Sequence, residues 1–120
     1  ELFEAAHEAL AACEARLRPG YAVGEVYDAH ARVLDRLGLG AHRLNACGYA
    51  LGATYAPSWM EWPMCYEGNP VVLEPNMVFF LHMILMDSDT GTAMTLGRTS
   101  IVTDGAPEPL SAHPLELLTR

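Results

Sequence analysis

Five side chains carry the chemistry this sequence offers: Tyr49, Trp59, Glu61, His82 and Arg98. His82 lies in Met77–Met86, an apolar run that places Val78, Phe80, His82, Ile84 and Met86 on one face of a strand. A hairpin symmetric about Asp89 sets position 82 opposite 96, with Arg98 diagonal to His82 on the same face. An imidazole and a guanidinium side by side are costly unless partnered or solvated, so the pair marks a polar site on the concave face. The plainer reading is a satisfied, half-buried His and a solvent-facing Arg. Tyr49 is flanked by Gly48 and Ala50, where little side-chain bulk lets a ligand approach the backbone. Glu61, between Met60 and Trp62, is a carboxylate whose pKa apolar neighbours would raise; the alternative is an exposed loop acid. Trp59 shares that aromatic loop. His7, His30, His42 and His113 stand at no metal-binding spacing, and HExxH, a P-loop, a dinucleotide Gly turn and GxSxG are absent.

The elements that must position these residues are legible in outline. Phe3, Ala6, Leu10, Cys13 and Leu17 recur at helical spacing, with Glu1 and Glu4 near the start and Arg16 and Arg18 near the end, as the helix dipole favours. Pro19-Gly20 stops that helix. Val23, Val26, His30, Val33 and Leu37 form the inner face of a second, closed by Gly38 or Gly40. After Gly40 the apolar period shortens. Asn45–Leu51 reads as a strand, 53–70 as an aromatic loop, Met77–Met86 and Thr92–Thr103 as a hairpin around Asp87–Gly91, and the remainder as a Pro-rich tail. Two helices followed by strands give an α+β fold, with the helices on one face of an antiparallel sheet.

Composition narrows the class. The 120 residues include 15 acidic and 7 basic side chains, a net charge of −8 that argues against nucleic acid or an anionic membrane as partner. Met77–Met86 is too short to span a bilayer. Cys13, Cys47 and Cys65 form no CxxC pair, so they read as reduced packing residues of a cytoplasmic protein. Glu1 falls inside a helical pattern without an initiator Met, which is expected of a segment of a longer protein.

Four stretches in order resemble one family. "LRPGYAVGEVYDAHARVLDRLGLG" is similar to a helix–PG–helix segment, and "ACGYALGATYAPSW" to a GHGIG strand with its following loop. "LEPNMVFFLHMILM" is similar to "L.PGMVFTIEP", and "TLGRTSIVTDGAPEPLS" to "RIEDTVLVTEDGAEPLT". These are motifs of the pita-bread fold of the creatinase/aminopeptidase-P/prolidase/methionine-aminopeptidase family, in its divergent Xaa-Pro-peptidase-like members. The resemblance implies that residues 1–112 are the C-terminal portion of a pita-bread catalytic domain, followed by a tail at 113–120.

It also implies a two-metal site of two Asp, one His and two Glu, the Asp pair belonging to strands that precede Glu1. Aligned by motif, the His position is Tyr49, the first Glu position His82 and the second Arg98; a further His-Glu pair falls near Ala56 and Pro57. Tyr is a reluctant ligand for Mn, Zn or Co, and Arg cannot coordinate. The expectation is therefore a site without metal or other cofactor, in which Arg98 supplies the fixed positive charge and anchors an anionic or carbonyl oxygen. His82 then acts as general acid or base, Tyr49 donates a hydrogen bond, and Glu61 and Trp59 face the substrate.

The function implied is part of a peptidase-related hydrolase of a small amide or proline-type peptide, inactive as 120 residues alone and paired as a homodimer through its open sheet edge. The alternatives are a non-catalytic module binding a peptide or protein partner, and an osmolyte hydrolase or lyase.

Overall fold

The computed structural model describes residues 1–119. Two helices, α1 (Leu2–Arg16) and α2 (Val23–Arg36), cover one face of a five-stranded antiparallel sheet. Its strands are β1 (Ala46–Ala50), β2 (Glu61–Tyr66), β3 (Val78–Asp87), β4 (Thr92–Ile101) and β5 (Glu108–Pro109), in the spatial order β2-β1-β3-β4-β5. Phe79, Leu81, Met83 and Leu85 point from β3 into the helices, where Leu10, Cys13, Leu17, Val26, Val33 and Leu34 meet them to form the core. No helix among the described residues is long and apolar enough to cross a membrane.

The helices depart from expectation at single positions. The buried stripe of α1 is Ala5, Ala6, Ala9, Leu10 and Cys13, whereas Phe3 is only half-buried and stacks on His7. In α2 the last core residue is Leu34 rather than Leu37, which is exposed. Gly38, at φ 75°, ends that helix, and the Leu39 amide donates to the Leu34 carbonyl at 2.8 Å; this reversal carries Leu37 off the inner face.

Two strands escaped the sequence reading. β2 lies within the stretch expected to be loop, because Trp62-Pro63 reads as punctuation. At the sheet edge, however, a proline forfeits no ladder bond. β5 is a two-residue pairing against Ser100 and Ile101. Beyond it, Leu115 still packs against the core.

The hairpin register differs from the symmetric expectation by one residue. His82 pairs with Gly97, and Arg98 pairs with Leu81. The loop holds four residues, 88–91, between the Asp87–Thr92 pair; Gly91 takes φ 67°, and the Asp87 carboxylate accepts from the amides of Asp89 at 3.0 Å and Thr90 at 3.2 Å. One extra loop residue moves every side chain of the returning strand to the other face. Thr95, Gly97 and Thr99 therefore share the face of His82, and Arg98 faces the helices.

Candidate functional site

The open face of the sheet carries a cleft of about 270 Å³ lined by Leu44, Tyr49, Trp59, Met60, Met64, His82 and Ile84, with Ala46 and Gly48 in its floor. Strand alternation delivers His82 and Ile84 from β3, while β1 delivers Tyr49. Tyr49 pairs with Phe80, and their rings meet edge-on with centroids 5.5 Å apart. The Phe80 and His82 rings lie 4.8 Å apart, tilted by 42°. From the loop before β2, the Trp59 indole N–H reaches the Tyr49 hydroxyl oxygen at 3.4 Å. Burial holds the His82 pKa below its ordinary value, so the ring is a neutral imidazole at pH 7. The lining holds no Asp or Glu.

Of the five expected site residues, three converge here: Tyr49, Trp59 and His82. Arg98 does not. It is on the opposite face, where its Nε donates to Glu14 Oε1 at 2.8 Å and its Nη2 to Glu14 Oε2. Ser100 Oγ donates to the same carboxylate at 3.1 Å. The bidentate pair clamps α1 to β4, and the expected Arg98–His82 neighbourhood is not formed. The motif alignment shifts in the same sense. Counted back without gaps from Val102-Thr103, the Glu of "RIEDTVLVT" falls on Gly97 and its Asp on Arg98.

Glu61 also leaves the cleft. Its Oε1 accepts from the Ala53 amide at 2.9 Å and from Thr54 Oγ1 at 2.7 Å, bracing the loop after β1. The Thr54 hydroxyl first and the Ala53 amide second hold its pKa below the usual carboxylate value, the reverse of the expected upward shift. The sequence pattern marks Phe80 only as a member of the strand face. Its part in the site was hidden because it depends on the register of Gly97.

A family model described as metallopeptidase family M24 matches residues 1–104. The chain belongs to this family. It is 34% identical over 82 residues to an uncharacterized hydrolase/peptidase of Sinorhizobium fredii, covering 68% of this chain and 20% of that protein. It is 28% identical over 104 residues to an ectoine hydrolase of Halomonas elongata, covering 86% of this chain and 25% of that one. Among solved structures, the dipeptidase PepE of Mycobacterium ulcerans superposes with a TM-score of 0.87 at 22% identity, over 98% of this chain and 30% of that one. The chain thus spans about a fifth to a quarter of the length of the curated relatives it matches. The pita-bread fold expected from the motifs is borne out.

Membership overturns the expectation that no cofactor belongs here, because the family is one of metallopeptidases that use divalent metals. The residues of this chain do not by themselves fit such a group. The cleft offers one imidazole and one phenol and no carboxylate, Gly97 opposite His82 adds no ligand, and the described residues contain no cluster of three His, Cys, Asp or Glu that could hold a metal ion.

Proposed function

We propose that this chain is the C-terminal part of the catalytic domain of a peptidase-related hydrolase, and that the cleft of Tyr49, Trp59 and His82 receives a small amide or proline-type peptide. The observation that carries this reading is the convergence of a neutral imidazole and an oriented phenol in an otherwise apolar cleft. Trp59 donates to the Tyr49 oxygen, which leaves the phenolic proton free to donate to a substrate carbonyl. His82, neutral near pH 7, is suited to take or give a proton at the amide nitrogen or an attacking water. Apolar Leu44, Met60, Met64 and Ile84 suit a ring such as that of proline. Two of the family's ligand positions are read as substituted, by Tyr49 and His82, and the third as Gly97.

The test is hydrolysis of a panel of glycyl-proline-type dipeptides and small cyclic amides by the intact protein, with divalent metal supplied and with chelator. Turnover of a panel member supports the reading; binding without turnover favours the non-catalytic module. That second reading rests on Gly97, which brings no carboxylate to the cleft face. The outer edge of β2 and its exposed Trp62 support assembly with a second copy, and the three unpaired, buried cysteines support a reducing, cytoplasmic setting.

A further inference from the structure

Gly97 has no unusual backbone angle to explain it; what it provides is room. A Cβ built at this position runs into the Phe80 ring, meeting Cζ and, at 2.6 Å, Cε2. The Cα partner of Phe80 is Thr99, so the ring leans diagonally along β4 to lie over the bare backbone of Gly97, which is itself opposite His82. From there its two sides touch the two polar groups of the cleft, Tyr49 edge-on and His82 in a tilted stack. The same ring, with Gly97 and Thr99, also lines the shallow depression on the β4 side.

We propose that Phe80, seated on Gly97, is the positioning residue of this site: its ring fixes the Tyr49 phenol and the His82 imidazole and closes the cleft toward β4. A ligand is then confined to the β1–β2 side, between Trp59, Met60, Met64 and Ile84. The room at 97 and the ring at 80 act as one unit. A side chain at 97 expels the ring, and without the ring the two polar groups lose their shared wall. This proposal rests on the reading of the cleft as the substrate site, but its test needs no substrate.

The experiment uses the intact protein with Gly97→Ala, Phe80→Ala and the double substitution, following the His82 ring protons by NMR through a pH titration. The His82 resonance is assigned by its loss in His82→Gln. In Gly97→Ala, which leaves His82 itself unaltered, the imidazole is expected to titrate at higher pH than in the parent, because the displaced ring admits water. Phe80→Ala produces the same upward movement, and the double variant titrates as Phe80→Ala does. The melting losses of the two single variants do not add in the double. An unmoved His82 titration in Gly97→Ala, or additive effects in the double variant, overturns the proposal. Should Gly97→Ala fail to fold, Phe80→Leu decides: an upward movement supports the positioning role, and an unchanged titration refutes it. A protein that hydrolyses nothing on the panel, yet shows this coupling, loses the hydrolase reading and keeps the Phe80–Gly97 unit.

Discussion

Acidification is expected to destabilise the protein through His30. This side chain is 1% exposed on the inner face of α2, beside the Tyr27 ring at 5.6 Å, and among the described residues its Nδ1 has no hydrogen-bond partner. Burial, reinforced by the Arg43 charge and opposed by Asp35, lowers its pKa from 6.5 to about 4. The unfolded chain therefore binds the proton first. Stability from the neutral ring is complete above pH 6.5, falls as the pH drops toward 4, and levels off below that, where both states are protonated. With 1.36 kcal/mol per pKa unit, the loss is about 2 kcal/mol at pH 5 and about 3 kcal/mol at pH 4. Denaturant unfolding of the intact protein at pH 7.5, 5 and 4 measures it, compared with His30→Phe, which keeps a ring against Tyr27 but cannot titrate. The variant is expected to lack that share of the acid loss. Parallel pH profiles in the two proteins would show that His30 does not carry this part of the acid loss.

Three further outcomes follow from particular contacts. Arg98→Ala strips the partner from a mostly buried Glu14 carboxylate and should cost about 2–3 kcal/mol in denaturant unfolding, with Arg98→Lys restoring only part. Glu61→Ala removes the acceptor for the Ala53 amide and the Thr54 hydroxyl, so amide exchange at Ala53 should accelerate at pH 7 while the core strands keep their protection. Gly48→Ala places a Cβ 2.6 Å from the Phe80 carbonyl oxygen and 3.2 Å from Leu81 Cα, forcing β1 and β3 apart; thermal melting should register a loss of about 1–3 kcal/mol.

The contrast between Tyr49 and Arg98 shows how much of this molecule was legible in its sequence. Helical spacing, Pro19-Gly20 and the alternation from Val78 to Met86 specify the helix pair and the central strand through local physics, and the four motifs supply the fold. Tyr49, Trp59 and His82 were identifiable because each depends on its own segment. The face of Arg98 is not readable in this way, because it depends on loop length. Gly91 adopts a left-handed angle and Asp87 caps a four-residue turn, and that one residue exchanges cleft for core. The environment of Glu61 is hidden for a related reason: its neighbours in sequence are apolar, but its neighbours in space are an amide and a hydroxyl. The convergence of Phe80 on Gly97 lies further still from a linear reading, since it is diagonal across two strands.

The proposed chemistry belongs to the face of His82, and Arg98 serves the opposite face. The most direct measurement compares kcat/KM of His82→Gln and Arg98→Ala with that of the parent on a proline dipeptide, in the intact protein with divalent metal present and corrected for folded fraction. A loss of about 100-fold or more is expected for His82→Gln, with Arg98→Ala near the parent value once folded. Full activity in His82→Gln, or a loss confined to folded Arg98→Ala, would contradict the account.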